Sequence, residues 1–373
     1  MSGDRFRDIR DLDRKELEQF FLDHGEKKFR GTQVHEWIWR RWCSSFEQMT
    51  NLPKPLRLLL AASFTFNRTN ISLVQRSSDG TVKVAFALFD GLPVEGVLIP
   101  SGQRYTACIS SQAGCALGCR FCATGRLGFK RNLNAPEILD QVVHLAKLAG
   151  AEQQTGSASQ PVSDNRQADQ GEVSVHPLSN IVFMGMGEPL QNYVNVTHAI
   201  SQLTSPEGFG FSPQRITVSS VGLPVMIRKM ADDDPKYQFA LSLHAASDAK
   251  RDRLIPLNTR NNIGDLVDAL KYYHQKTRKR ISIEYILFRN FNDTREDAVD
   301  LARFCRNFPV KINLMEYNRV DDTGLYGSPP EKVKAFVEMM QRYNLVVNVR
   351  KSRGIDISAA CGQLAGRPAD AKA

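Results

Sequence analysis

The spacing of apolar residues changes twice along the chain. Up to about residue 62 apolar side chains recur at helical intervals. Residues 13–23 and 31–42 read as short amphipathic helices, and 55–62 as a third after Pro53 and Pro55. In the second helix Val34, Trp37, Ile38 and Trp42 fall on one arc, which predicts a small helical core. Trp39 lies off that arc beside Arg40. From about residue 71 the period becomes two. Ile71–Arg76, Thr81–Leu88 and Pro93–Ile99 alternate or run β-branched around the turns Ser78-Asp79-Gly80 and Asp90-Gly91.

Beyond residue 104 strands and helices take turns. Strands are expected at 104–110, 179–184, 215–219, 237–243, 281–286 and 310–315. Helices are expected at 135–149, 193–203, 222–231, 262–276, 294–307 and 330–342. Repeated strand–helix order implies parallel strands with crossover helices. Six such units predict an α/β fold, an open partial (βα)6 barrel with its chemistry at the C-terminal strand ends. The expected organisation is a helical accessory domain over 1–70, a β connector over 71–103, a barrel core over 104–350, and a C-terminal loop and tail over 351–373. Residues 151–178 are made mostly of Gln, Ser, Asp, Gly and Ala with almost nothing apolar, and we expect them to be a disordered insertion.

Composition narrows the setting. No run of about 18 apolar residues occurs, so no membrane span is expected. The charged start Met-Ser-Gly-Asp-Arg-Phe-Arg lacks a signal core. Seven cysteines, three of them clustered, suit a reducing cytoplasm. A net charge of +9 favours a polyanion such as RNA or DNA. The basic residues gather at Lys27-Lys28 with Arg30, Arg40-Arg41, Lys130-Arg131, Lys250-Arg251 with Arg253, and Lys276 through Arg280.

Candidate chemistry begins at Cys115, Cys119 and Cys122, a C-x₃-C-x₂-C loop flanked by glycine. Three thiolates this close can hold three corners of a [4Fe–4S] cluster, leaving one iron for a small ligand. A zinc site is the alternative, but it favours paired C-x₂-C knuckles and four closed ligands. The nearest downstream histidine is His144, in a helical segment. The spacing resembles that of the radical S-adenosylmethionine (SAM) superfamily.

Other polar residues stand at strand ends. Met184-Gly185-Met186-Gly187-Glu188-Pro189 follows an apolar strand; its small residues permit close approach, and Glu188 can accept from an ammonium group. It resembles the element that holds the amino group of SAM. Ser219, the run Ser242, Leu243 and His244, and Asn318 end later strands and suggest one pocket. Cys108 precedes the cluster loop, and Cys361 sits in a small-residue loop rather than an apolar run. Cys43 and Cys305 read as structural.

Taken together, Gly-Cys-Ala-Leu-x-Cys-x-Phe-Cys, Phe-Met-Gly-Met-Gly-Glu-Pro-Leu, Ser-Leu-His-Ala, Ile-Glu-Tyr, Lys-Ile-Asn-Leu and Ala-Ala-Cys-Gly-Gln-Leu-Ala-Gly resemble the RlmN family. Its members are dual-specificity methyltransferases acting on carbon 2 of adenosine in 23S rRNA and tRNA. The likeness implies a [4Fe–4S] cluster on Cys115, Cys119 and Cys122, and two SAM molecules per turnover. It places Gly187, Glu188, Ser219, Ser242, Leu243, His244 and Asn318 in the SAM site. It makes Cys361 the methyl carrier, Cys108 its partner in a transient disulfide, and Glu95 the proton acceptor, although pattern alone makes Glu95 a surface strand carboxylate. The helical head, with Phe-Arg-Gly-Thr-Gln-Val, resembles the accessory RNA-binding domain. A flavodoxin or ferredoxin as electron donor, a monomer and a cytoplasmic location are expected. Two departures stand out: the insertion at 151–178, and Tyr317-Asn318-Arg319 where Trp-Asn-Pro is more usual.

Three rival readings remain at this point. The same chemistry at carbon 8 of adenosine would use the same cysteines. A radical-SAM enzyme acting on a protein or metabolite would not need Cys108 and Cys361. A zinc-dependent RNA-binding module would need no SAM.

Overall fold

The computed structural model describes residues 7–156, 177–320 and 323–365. The head comprises α1 (Arg14–Asp23), α2 (Phe29–Trp39) and α3 (Lys54–Ser63). Asp13 caps α1 in a reciprocal pair with Glu16, satisfying amides the first turn leaves open. Helices α1 and α2 approach closely at Gly31, where a Cβ would lie 2.5 Å from the Glu18 amide nitrogen. That approach sets which face of α2 is buried: Gly31, Val34, His35, Ile38 and Trp39. The arc expected through Trp37 and Trp42 is thereby corrected. Trp39 is 0% exposed, Trp37 and Trp42 are half-buried, and α2 has already ended when Trp42 takes a left-handed φ of 48°.

The remaining elements are β1 (Asn70–Arg76), β2 (Val82–Ala87), β3 (Pro93–Ser101), β4 (Arg104–Cys108), β5 (Gln112–Gly114), α4 (Ala123–Arg126), β6 (Phe129–Asn132) and α5 (Ala135–Gly156). There follow β7 (Leu178–Phe183), α6 (Tyr193–Thr204), β8 (Ile216–Ser220), α7 (Pro224–Asp232), β9 (Gln238–Ser242), α8 (Asp248–Leu254) and α9 (Ile263–Thr277). Last come β10 (Ile281–Leu287), α10 (Arg295–Cys305), β11 (Val310–Glu316), α11 (Pro330–Arg342) and β12 (Val347–Arg350).

Ten strands form one sheet in the order β1-β2-β3-β4-β7-β8-β9-β10-β11-β12. Strands β1 to β4 pair antiparallel, and from β4 onward every pairing is parallel. Helices follow β4, β7, β8, β9, β10 and β11, which gives the six expected strand–helix units of an open barrel. The run β1–β3 is continuous with the barrel sheet, and one apolar core joins head and sheet. Strands β5 and β6 form a separate hairpin beside the cysteine loop.

Besides β5, α4 and β6 around the cysteine loop, three further elements depart from the sequence expectation. Strand β12 adds a seventh parallel strand, α8 is a short turn of helix after β9, and α5 runs past residue 149 to Gly156. The expected disorder of the insertion falls at 157–176, outside the described residues. Beyond β12 the chain returns across the barrel mouth. Gly354 donates to Asp79 (3.0 Å), and Asp356 accepts from the Ser77 hydroxyl (2.6 Å), tying this return to the turn between β1 and β2. Among the described residues no helix is long and apolar enough to cross a membrane.

Candidate functional site

A cavity of about 460 Å³ opens at the C-terminal ends of the barrel strands. Its lining brings together Cys108, Cys115, Cys119, Cys122, Gly187, Glu188, Ser219, Ser242, His244, Asn318 and Cys361. Leu243 and Glu95 do not line it. Leu243 is fully buried, and its backbone amide donates to the Glu284 carbonyl (3.1 Å).

The cysteine loop is shaped by glycine and by its neighbours. Gly114 has a φ of +74°, and a Cβ there would strike the Gly128 carbonyl at 1.9 Å, so no other residue fits. Cys115 donates its amide to that same carbonyl (3.1 Å), and Arg120 donates to Leu254 (2.9 Å). Burial pushes the Cys115 thiol up to about 12 and Cys119 well above its ordinary value. Such thiols stay protonated at neutral pH until a metal displaces the proton.

The donor set fits a cluster better than a single ion. Tetrahedral zinc needs four donors within about 2.3 Å of one point. Among the described residues no three His, Cys, Asp or Glu side chains gather in that way. A cubane instead spreads its thiolates over separate irons, and three cysteines lining one cavity from a single loop suit that requirement.

Opposite the loop, the turn after β7 is fixed by the segment around β5. Gly187 has a φ of +99°, and a Cβ there would lie 2.5 Å from the Gln112 Cβ. Gln112 accepts from the Glu188 amide (2.8 Å), and Ser110 Oγ accepts from Met186 (2.8 Å). The Glu188 carboxylate accepts from the amides of Leu190 and Val221, each at 3.0 Å. Burial raises it to about 7 despite these bonds. Ser219 donates to Phe183 (2.8 Å). His244 takes a φ of 56°, accepts from the Ile286 amide (3.2 Å), and is held by burial at about 3, hence neutral.

The C-terminal return carries Cys361 into this cavity on an exposed turn. Ala123 donates to the Gly362 carbonyl (2.7 Å), Thr124 Oγ1 to Leu364 (2.6 Å), and Asn318 Nδ2 to Cys361 (3.4 Å). The cavity walls desolvate the sulfur of Cys361 and raise its thiol, with Glu284 adding to the shift and Arg350 opposing it. Burial raises Cys108 as well, and the charge of Cys361 is its next largest cause, so the two sulfurs sense one another. Cys43 and Cys305 are buried and away from the cavity, as their apolar settings suggest.

Glu95 is buried at 2% exposure, not the surface carboxylate that strand patterning suggests. Strand β3 lies between β2 and β4, and the C-terminal return covers it. Glu95 Oε2 accepts from the Ala365 amide (2.8 Å), and Oε1 lies 3.4 Å from Lys83 Nζ.

The same folds recur in known proteins. Residues 7–65 match the family model described as the ribosomal RNA large subunit methyltransferase N-terminal domain. Over 366 residues the chain is 48% identical to the probable dual-specificity RNA methyltransferase RlmN of Christiangramia forsetii, covering 98% of both proteins. The chain belongs to the RlmN family. The RlmN protein of Anaeromyxobacter sp. (strain Fw109-5) is 41% identical over 365 residues, spanning 97% of this chain and 92% of that one. A crystal structure of a radical SAM methyltransferase from Sphaerobacter thermophilus superposes with a TM-score of 0.85 at 36% identity. It covers 97% of this chain and 100% of its own. The RlmN likeness thus extends through head, barrel and C-terminal return together.

Several residues of this RlmN-family site escape sequence reasoning. Arg251, grouped above with a basic cluster, is 1% exposed and donates to Leu243 (3.1 Å), Asn258 (2.6 Å) and Val221, so it braces the strand ends. Its signal is weak, because a buried arginine in a basic run looks like its exposed neighbours. Arg350 at the end of β12, with Lys351 and Arg353 just beyond it, forms a cationic rim to the cavity.

Proposed function

We propose that this chain is a radical-SAM RNA methyltransferase that methylates carbon 2 of adenosine in 23S rRNA and tRNA. The observation that carries this reading is the meeting of Cys361, Cys108 and the three-cysteine loop in one cavity. Carbon 2 is electron-poor and has no lone pair, so direct displacement on SAM cannot methylate it. A carbon radical held beside the base can add there.

Cys115, Cys119 and Cys122 would hold the [4Fe–4S] cluster, and Gly187, Glu188, Ser219, Ser242, Leu243, His244 and Asn318 would hold SAM. When bound, the cluster and SAM supply a 5′-deoxyadenosyl radical that removes a hydrogen atom from a methyl group. The rest falls to the chain's own residues. Cys361, as thiolate, takes the methyl group by displacement. After hydrogen loss its S-methylene radical adds to carbon 2, joining enzyme to RNA, and the adduct's unpaired electron must leave to a one-electron acceptor, a role the oxidised cluster would fill. Glu95 accepts the carbon-2 proton, which requires the Ala365 contact to open, because Glu95 is bonded to that amide and does not line the cavity. Cys108 then attacks the Cys361 sulfur. The S–S bond forms as the C–S bond breaks, and the electron pair passes to the base, which takes a proton from solvent. Cellular thiols reduce the disulfide.

The target adenosine must be unpaired and extruded to reach so enclosed a cavity. On the same reading residues 1–70 form an RNA-contacting accessory domain on the connector 71–103 and core 104–350. The enzyme works in the cytoplasm as a monomer and receives electrons from a flavodoxin or ferredoxin. Mass spectrometry of digested rRNA and tRNA, treated separately, tests the reading. A 2-methyladenosine product in both supports it, 8-methyladenosine would move the reaction to the other carbon, and no product would refute it.

A further inference from the structure

A second cavity, of about 520 Å³, lies between the head and α5 and shares no residue with the first. Its character is cationic and aromatic. Trp37, Trp42 and Phe66 contribute flat apolar walls, and Arg41, Arg68 and Lys147 stand exposed around it. Arg41 sits 4.6 Å from the Trp37 ring centre. Arg10, deeper in, is neutralised by Asp8 (2.9 Å) and Asp140 (3.0 Å). Arg41, Arg68 and Lys147 have no such partner, since among the described residues none of them lies in an ion pair. The site therefore carries a positive excess that the protein leaves unbalanced.

An independent feature points to a ligand. Thr69 lines the cavity, is 2% exposed, and its hydroxyl has no hydrogen-bond partner. Its amide is already taken by Asp140 (3.0 Å) and its carbonyl by His144 (2.9 Å), so the hydroxyl alone remains to be satisfied. A buried donor, several unpaired cations and stacking surfaces in one hollow match a phosphate carrying a base. A bare metal cation would be repelled.

Placement favours a nucleotide within a long RNA. Asn70, in the cavity lining, pairs with Ala87 at the C-terminal end of β2. Two antiparallel steps relate β2 to β4, so β2 runs the same way as the barrel strands. Cys108 stands level with Lys83, both facing Val97 of β3, whereas Asn70 stands level with Ala87, so the hollow lies four residues further along the strands than the reacting cysteine, on the helix-covered side.

We infer that the hollow between head and α5 is a second RNA subsite, which grips a nucleotide of the substrate away from the reacting adenosine through phosphate contacts and stacking. The inference rests on the RNA-methyltransferase reading above. The test is filter binding of the full chain to a tRNA pool and to a 23S rRNA transcript across a range of salt. The variants are Arg68→Ala with Lys147→Ala, Thr69→Val, and a distant Lys229→Ala with Lys334→Ala.

Losing two phosphate contacts should weaken RNA binding about tenfold at 0.15 M salt. It should also flatten the log–log salt slope by about 1.4 to 1.8. Thr69→Val should weaken binding about threefold, and the distant pair should leave it within about twofold. Unchanged affinity and slope would overturn the inference, as would an equal loss in the distant pair. Tight AMP binding lost in the double variant while RNA binding holds would assign the hollow to a free nucleotide and overturn it too. The same result with polyglutamate would assign it to an acidic protein. Product analysis of the wild type keeps the two ideas apart: absent methyladenosine with a shifted salt slope refutes the reaction but leaves the subsite standing.

Discussion

Ala123, the residue after the last clustered cysteine, donates its amide to the carbonyl of Gly362, the residue after Cys361, at 2.7 Å. The three-cysteine loop and the turn that carries Cys361 are therefore built against each other, although 240 residues of sequence separate Thr124 from Leu364. Placement of the sulfur depends on that contact.

Thr124→Val tests the dependence. The Thr124 hydroxyl donates to the Leu364 carbonyl at 2.6 Å inside the protein, and its loss leaves a buried acceptor unmatched. Such a loss is worth about 1–3 kcal/mol. The C-terminal return should open more often, with faster amide exchange at Gly362–Ala365 and RNA methylation reduced by about tenfold or more. Iron content should hold. Unchanged exchange there would show that the hydroxyl does not secure the return.

Glu95→Gln separates two stages of the reaction. The amide can still accept from Ala365, while the charge beside Lys83 is lost. Methyl uptake on Cys361 should persist, and RNA product should fall by about a hundredfold or more, the range for losing a general base. Full RNA methylation would remove Glu95 from proton transfer.

Cys108→Ala should leave the enzyme joined to its RNA, because no second sulfur can attack Cys361. The expected result is a protein band that shifts on denaturing gels and returns after ribonuclease treatment. Clean release by this variant would show that another group resolves the adduct.

His244 makes stability depend on pH. Burial lowers its imidazole from 6.5 to about 3, so the unfolded chain binds a proton that the folded chain refuses. The resulting stabilisation is complete above pH 6.5 and is lost as pH falls toward 3. Between pH 6.5 and 5 the loss is about 2 kcal/mol at most. Thermal melts of wild type and His244→Asn at pH 7 and pH 5 check this. The variant should show the shallower decline, and equal declines would contradict the assignment.

Much of this site is legible in the sequence because the signals are local. Cys115, Cys119 and Cys122 lie within one loop, and Ser219, Ser242 and Asn318 each end or follow a strand whose apolar run is plain. What fails is whatever depends on distant chain. Glu95 looks exposed because nothing near it in sequence reveals that Ala365 will lie over it. Arg251 looks like a surface cation because its acceptors, the Leu243 and Val221 carbonyls, are set by two strand ends. Trp39 looks peripheral because the buried face of α2 is chosen by the approach of Glu18 to Gly31. Strand β12 is only four residues at a sheet edge, largely exposed, and leaves little apolar pattern to read.

The most direct test follows a trideuterated methyl group from SAM by mass spectrometry, on the peptide holding Cys361 and on the RNA. The label should appear intact on Cys361 first, then in RNA adenosine with two of its three deuterons, the third position filled from solvent. Arrival in RNA with all three deuterons, or without ever residing on Cys361, would contradict the account.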